Sequence, residues 1–456
     1  SVRIALEGQP HAVESFIQTL EGRLPPNASL GNVSLVESVP VSEAEKLEKF
    51  SILPSFLTGA TSLVIPADLA ICRDCLSEIT NPSDRRYGYA FTTCVNCGPR
   101  YTIINSTPYD RERTTMSAFP MCENCSHEYW NPSDRRFHAE TIACPKCGPQ
   151  PSMEDSSGKI IKGDAIEKAR IELSKGGIVA VRGIGGFLIA ADAFNRDALT
   201  TLRQRKTRPH KPFAVMAPDI AVLKKYCIVT DEAERLLASP EAPIVILDIR
   251  PDSTAGNREL PLDLITPDAM TLGAMLPNSP LQKLLFEPLR QDSVPAFELL
   301  IMTSGNHGGE PICITNNEAR RRLRPIADYL LVHDREINLR NDDSVCVIRR
   351  GILQVWRRAR GYAPTPIRLP HRLKRNILAM GADMKNTITV AYEDSAVLSP
   401  HVGDLETPEA LDSIENTLGN LIAFLKKPPQ TIAVDLHPDM RSTKLGRQIA
   451  AQADIP

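Results

Sequence analysis

The sequence predicts a multidomain α/β protein, and three observations carry that reading. Its 456 residues are too many for one ordinary core. A cysteine frame, C-x2-C-x18-C-x2-C, is written at Cys72, Cys75, Cys94 and Cys97 and again at Cys122, Cys125, Cys144 and Cys147. Behind the duplicate, apolar β runs alternate with amphipathic helical stretches as far as the C-terminus.

Taken in order, residues 1–55 read strand, helix, strand, strand: VRIALEG, then PHAVESFIQTLEGRL with helical spacing, then LVESVPV and FSIL. That is about half of a small α/β sandwich. LPSFLTGATSLVIP reads as a linker. Residues 67–149 hold the cysteine duplicate and few periodic apolar segments, so metal is expected to stand in for a core. QPSMEDSSGKIIKG is a second linker or an edge hairpin. Residues 160–366 form one α/β domain: the helices DAIEKARIELSKGG and RDALTTLRQRK, and the strands IVAVRG, FAVM, APIVILDI, LLIMTS and SVCVIRRG. A further unit spans 375–456, with strands NILAMGA and TITVAYE, a helix ALDSIENTLGNLIAFLKK and the strand TIAVDLHP.

Composition narrows the function classes. A net charge of −2 and 5% aromatic residues give no basis for nucleic-acid or membrane-surface binding. No run approaches the ~20 apolar residues of a membrane helix, and SVRIALEGQP has no signal-peptide pattern. The start lacks an initiator Met and reads as processed or trimmed. Eight of the 11 cysteines sit in CxxC pairs, the usage of a metal site in a reducing compartment, so the cytoplasm is expected. Cys227, Cys313 and Cys346 sit among apolar neighbours and read as inert core residues.

Two CxxC knuckles can set four thiolates around a tetrahedral Zn²⁺, and a site of four cysteines leaves no open position for water. Two structural zinc sites are therefore expected. Each copy repeats as a unit, which favours pairing within a copy; pairing between copies stays open. Asp84 and Asp134 are expected to pair locally with the arginines of NPSDRR and brace the knuckle.

LRQRKTRPHKPFAV packs Arg203, Arg205, Lys206, Arg208 and Lys211 ahead of an apolar strand, with Pro209 and Pro212 stiffening the loop. Fixed cations at a strand mouth suit a polyphosphate. In IMTSGNHGGEP a buried strand runs into small polar residues and glycines, with Ser304 and Asn306 as polar tips. VRGIGGF adds a third glycine-rich strand end beside Arg182. None of these is a Walker A loop or a dinucleotide fingerprint.

KTRPHKPFAVM, with GGIVAVRGIGGF before it and TSGNHGGEP after it, resembles the YrdC-type fold. With the doubled cysteine frame in front and WRRARGYAP, GADMKNT, LSPHVGDL and VDLHP behind, the whole order resembles the HypF family of [NiFe]-hydrogenase maturation carbamoyltransferases. The resemblance implies four parts: a partial acylphosphatase-like sandwich, a double zinc-finger module, a YrdC-like adenylation domain and the start of an ASKHA-like transfer domain. It implies a route in which carbamoyl phosphate yields carbamate, ATP turns carbamate into carbamoyl-AMP with Mg²⁺, and the carbamoyl group passes to the C-terminal cysteine of a partner, HypE. Under it Lys206 and Arg208 hold the triphosphate in the catalytic role, while Lys211, Ser304, Asn306 and Arg182 line the ATP and carbamate pocket. Asp383, Lys385, Asn386, His401, Gly403, Asp404, Asp435 and His437 match loops around a second nucleotide site.

The family's acylphosphatase loop is expected before residue 1, and its HxxxH metal motif beyond Pro456. Leu188, Ala191, His307 and Gly308 depart from the residues expected at those places. Two other readings compete: a YrdC-like enzyme making threonylcarbamoyl-AMP for tRNA modification, and a zinc-ribbon nucleic-acid-binding protein. The doubled frame has no evident use in the first, and the charge balance disfavours the second.

Overall fold

The computed structural model describes residues 4–20, 22, 65–251, 258–287 and 294–456, in two compact units, Ser1–Val64 and Ile65–Pro456. In the first unit a helix, Pro10–Leu20, forms where the sequence spaces its apolar residues helically. Residues 4–9 carry no strand, and the expected strands LVESVPV and FSIL, like most of the linker after them, lie outside the described residues.

The second unit is built on an 11-stranded mixed sheet. Its strands are β1 Pro151–Asp155, β2 Ile160–Ile161, β3 Val179–Arg182, β4 Phe187–Asp192, β5 Ala214–Met216, β6 Ile244–Asp248, β7 Thr271–Met275, β8 Leu300–Ser304, β9 Tyr329–His333, β10 Val345–Arg349 and β11 Ile352–Arg357. They lie in the order β11-β10-β6-β7-β5-β8-β4-β3-β9-β1-β2. β1 and β2 make the edge hairpin that was one of two readings of that stretch. Side chains alternate between two apolar layers as the pleat requires: Ala180 packs into one, its neighbours Val179 and Val181 into the other.

Flanking helices start on side-chain caps. Asp164 accepts from the backbone N–H groups of Ile166 and Glu167 to open Ala165–Ser174, and Asn195 accepts from Ala198 to open Arg196–Arg205. The second layer contains Ile79, Tyr89, Phe91, Ile103, Met116 and Ala143, all from the cysteine-rich segment. That segment therefore does not rely on metal alone for a core; it lends its few apolar residues to its neighbour's.

A second sheet of five strands follows: β12 Ile367–Arg368, β13 Ile377–Ala379, β14 Thr389–Tyr392, β15 Ser395–Leu398 and β16 Thr431–Ala433, ordered β12-β15-β14-β13-β16. The helix Pro408–Leu425 covers it with Ile414, Leu418, Leu421 and Leu425 at helical spacing. Tyr101 and Ile104 of the cysteine-rich segment, with Ile65 just before it, enter this core too, so that segment packs against both sheets. No helix among the described residues is long and apolar enough to cross a membrane.

Candidate functional site

Each copy of the cysteine frame closes on itself. Sγ of Cys72 lies 3.6 Å from that of Cys94, Cys94 3.8 Å from Cys97, and Cys97 3.5 Å from Cys75. The second copy repeats this, with 3.7 Å from Cys122 to Cys144, 3.7 Å from Cys144 to Cys147 and 3.6 Å from Cys147 to Cys125. Sulfurs ~2.3 Å from a tetrahedral zinc ion stand about 3.8 Å apart, so both clusters fit the ion. In each copy the first pair sits at the start of a short helix, Arg73–Thr80 or Glu123–Trp130.

The NPSDRR run folds the same way twice. Asn81 and Asp84 accept from the backbone N–H groups of Ser83 and Arg86, and Asn131 and Asp134 accept from those of Ser133 and Arg136. The aspartates thus brace the turn through backbone, not through the local ion pairs expected of them. The guanidiniums cross to the other copy. Arg85 and Arg86 pair with Glu128 at 2.7 and 2.5 Å, and Arg85 donates to Cys125 Sγ at 3.3 Å. Reciprocally, Arg135 pairs with Glu78 at 2.5 Å and donates to Cys75 Sγ at 3.4 Å, and Arg136 pairs with Glu78. Burial raises the carboxyl pKa of Glu78 and Glu128, but the two guanidiniums on each outweigh it and hold both below the usual range. Thr93 donates to Thr141 Oγ1 at 2.9 Å across the middle. The duplicate is one body with an internal two-fold exchange of arginines.

The basic loop divides. Arg203 donates to the carbonyl of Ile265 and stacks on Phe213, and Arg205 pairs with Asp328 at 2.7 Å, so both are structural. After the helix ends, Thr207 takes a φ of 50° and throws the next residues across the ends of β8 and β5. Lys206 is 1% exposed. Its Nζ donates to the carbonyls of Ser304 and Asn306 and to Asn306 Oδ1, the last two at 2.9 and 3.1 Å. Arg208 donates to Thr303 Oγ1 and to the carbonyls of Lys211 and Pro212, at 3.2, 3.1 and 2.7 Å. Ser304 Oγ donates to Asn306 Oδ1 at 2.7 Å, joining the two polar tips. Burial first, then Arg208, lowers Lys206 to about 7; burial, then Arg203, lowers Arg208 to about 10. Lys211, exposed at the rim, is also lowered, by the protein around it and then by Arg208 and Arg357.

The expected second nucleotide loops separate into three groups. Asp404 accepts from the backbone of Lys385 at 2.7 Å, Gly403 accepts from that of Asn386 at 2.8 Å, and Asp383 caps the helix Arg441–Ala453 through Arg441 and Ser442. Asn386 Nδ2 donates to Met380 and Ala382, leaving its buried Oδ1 unpartnered. His401 faces the first site: burial lowers it, and it feels Asp342, Arg357, Asp404 and Lys211. Asp435 and His437 lie on an exposed loop, where Asp435 accepts from the His437 backbone and His437 Nδ1 from that of Asp439. Arg182 stands apart from Lys206, donating to Asn316 Oδ1 and the His333 carbonyl at 2.9 and 2.7 Å.

Comparison with known proteins follows this division. The HypF finger family matches residues 71–104 and 121–154, the Sua5–YciO–YrdC family described as telomere recombination matches 172–359, and the HypF Kae1-like domain matches 372–455. Carbamoyltransferase HypF2 of Cupriavidus necator is 42% identical over 470 residues, covering 100% of this chain and 57% of that protein. Carbamoyltransferase HypF of a Synechocystis strain is 42% identical over 438 residues, covering 96% and 55%. Full-length HypF in its phosphate- and nucleotide-bound form superposes with a TM-score of 0.89 at 40% identity, over 98% of this chain and 56% of that one. The chain belongs to the HypF family. It spans somewhat over half the length of the HypF relatives it matches, 57% and 55% for the two named here.

Several residues of this HypF-family site carry no sequence signal of their own. Thr303 receives Arg208 from inside a buried strand, and Asp343 accepts Arg360 at 2.8 Å while its carbonyl accepts Arg357 at 2.8 Å. The pair Asp342–Asp343 precedes β10, a strand mouth that could have been flagged as the other three were. Gly305 is required by close approach: a Cβ there would lie 2.6 Å from the Phe187 carbonyl oxygen. Gly305→Ala is expected to push the Ser304–Asn306 turn off Lys206, destabilising the fold by about 1–3 kcal/mol with zinc content unchanged. Thermal melting beside metal analysis checks this.

Proposed function

We propose that this chain carries the adenylate-forming half of a HypF-type carbamoyltransferase and part of its transfer side. One observation supports this above the rest. Lys206, Arg208 and Lys211 gather at the strand ends, and among the described residues none has a carboxylate within ion-pair distance. Cations held by carbonyls and hydroxyls alone, and lowered in pKa by burial and by each other, are completed by a polyanion.

In this reading ATP lies with its triphosphate on Lys206, Arg208 and Lys211. A carbamate oxygen attacks the α-phosphorus; the new O–P bond forms as the α–β bridging bond breaks, and pyrophosphate leaves with the electron pair. Charge grows on the α-phosphoryl and the leaving oxygens, where the ammonium of Lys206 and the guanidinium of Arg208 stabilise it in a low-dielectric setting. Ser304 and Asn306 orient the carbamate, and the glycine-rich turns let backbone N–H groups approach. Mg²⁺, arriving with the nucleotide, shares the charge neutralisation. No protein nucleophile takes part. Asp383, Lys385, Asn386, Gly403, Asp404, Asp435 and His437 serve a second nucleotide site, with His401 between the two. From there the carbamoyl carbon forms a bond to the terminal cysteine thiolate of HypE as its bond to AMP breaks. Carbamoyl phosphate is the source of carbamate, the zinc sites are structural, and the cytoplasm is the setting.

The test is ATP–pyrophosphate exchange on the zinc-loaded chain with Mg²⁺. Exchange is expected with fresh ammonium carbamate. Exchange only with threonine plus bicarbonate would replace this reading by the threonylcarbamoyl one.

A further inference from the structure

Where the cysteine-rich segment meets the large sheet there is a second group of uncompensated cations. Arg335 is 5% exposed, and among the described residues its guanidinium makes no hydrogen bond and no ion pair. It stacks on Phe91, 5.2 Å from the ring centroid. Arg182, 3% exposed, leaves its Nε unpartnered. The ring nitrogens of His333 make no hydrogen bond of good geometry, although carbonyls of Gly183 and Arg335 lie close. All three residues line one cavity of about 20 Å³, with Phe91 as its finger-side wall. That exceeds the ~10–15 Å³ that one water needs and is far short of a nucleotide.

The carboxylates that Arg335 senses are engaged elsewhere. Asp68 accepts from Thr102 and from Asn341 Nδ2, at 2.9 and 2.8 Å, and Asp334 accepts from the Gln150 backbone at 2.8 Å. Arg182 and Arg335 repel one another, each lowered to about 10 chiefly by burial. Two buried guanidiniums facing one cavity without a counter-charge are costly to the fold unless an anion joins them. Strand order sets the place. Arg182 ends β3 and His333 ends β9, two and three strands from Ser304 on β8 at the same end of the sheet. At ~4.8 Å per strand that is about 10 and 14 Å from the adenylation turn.

We infer that the cavity walled by Arg182, Arg335, His333 and Phe91 binds a small planar carboxylate monoanion, the class of carbamate and bicarbonate. A guanidinium fork matches a planar carboxylate, the ring of Phe91 excludes water, and the volume rejects phosphoanhydrides. That the physiological occupant is carbamate rests on the function proposed above; the site itself does not.

The experiment titrates ¹³C-bicarbonate against the zinc-loaded, nucleotide-free chain by NMR line broadening, with inorganic phosphate as a second probe. Bicarbonate is expected to bind the wild-type chain and Lys206→Met alike and to lose at least about tenfold in affinity in Arg335→Met, the loss of a charge-assisted contact. With no anion present, Arg335→Met should melt no lower than the parent, because an apolar side chain replaces an unpaired buried charge; a purely structural arginine would lower it. If that variant fails to fold, Arg335→Gln, which keeps donors and drops the charge, takes its place. Absent binding to the wild-type chain, equal binding in the Arg335 variant, or preference for phosphate would overturn the proposal. Exchange kinetics separate it from the functional reading. A raised KM for carbamate in Arg335→Met, with KM for ATP unchanged, supports the site as a carbamate site. Arg335-dependent bicarbonate binding in a chain that exchanges nothing would retain the site and remove the reading.

Discussion

Lys206→Met is expected to cut ATP–pyrophosphate exchange by about 10²–10³-fold, the size of loss seen when one preorganised donor to a developing oxyanion is removed. Methionine keeps the length and the burial, so the Ser304 and Asn306 turn loses only the ammonium. The parent should show a pH signature that the variant lacks. Burial lowers Lys206 to about 7, so in the nucleotide-free chain it carries little charge above neutrality. A bound triphosphate restores the charge, and nucleotide binding must then take up a proton. KM for ATP should therefore rise as pH rises from about 7 toward 9, and calorimetry in buffers of different ionisation heat should report the uptake. The stability of the empty chain moves the other way. A lysine whose folded pKa lies below its unfolded one penalises the fold while it is charged. That penalty is full below about 7 and is relieved as pH climbs toward the ordinary lysine value, so stability rises across that window. In Lys206→Met the rise should shrink. A variant with unchanged exchange, or unchanged KM dependence on pH, would remove Lys206 from the nucleotide site.

The same residue shows what the sequence could and could not reveal. LRQRKTRPHKP flagged its cations because basic residues and prolines crowd ahead of a strand, yet that cue could not tell Arg203 and Arg205, which reach Ile265 and Asp328, from Lys206 and Arg208, which reach the Thr303–Asn306 turn. The distinction lies in partners 62 and 123 residues distant, Ile265 and Asp328, whose carbonyl and carboxylate claim the first two. Strands with uninterrupted apolar runs, such as LLIMTS and APIVILDI, were legible. FLIAAD and YLLVH were not marked as strands, because a short apolar run reads equally as a strand or as a piece of buried helix until its partners are known. The four-cysteine frames were legible from spacing, which left the grouping open; the sulfur distances place each cluster within one copy. Arg335 was invisible: a lone arginine in HDREI means nothing until Phe91, 244 positions earlier, is packed beneath it.

The crossed arginines make the second large prediction. Zinc at a four-cysteine site contributes about 10–16 kcal/mol of folding free energy, so Cys75→Ser or strong chelation should unfold the finger segment, exposing its share of both neighbouring cores. The sharper expectation concerns which site feels which arginine. Arg135, in the second copy, donates to Cys75 and pairs with Glu78 of the first; Arg85, in the first, donates to Cys125 and pairs with Glu128 of the second. Partners that orient and neutralise zinc thiolates commonly change metal affinity by about 10–100-fold when removed. Arg135→Met should therefore loosen zinc at Cys72, Cys75, Cys94 and Cys97 while sparing the cluster in its own copy, and Arg85→Met should do the reverse. Alkylation of cysteines during graded chelation, read peptide by peptide, resolves the two clusters. Loosening of the arginine's own copy would mean that the aspartate-capped turn, not the exchanged guanidinium, holds the knuckle. The crossed result would explain why the frame is written twice: neither copy contains the arginines that complete its own metal site, so a single copy would leave its one thiolate cluster and its one arginine turn without their counterparts.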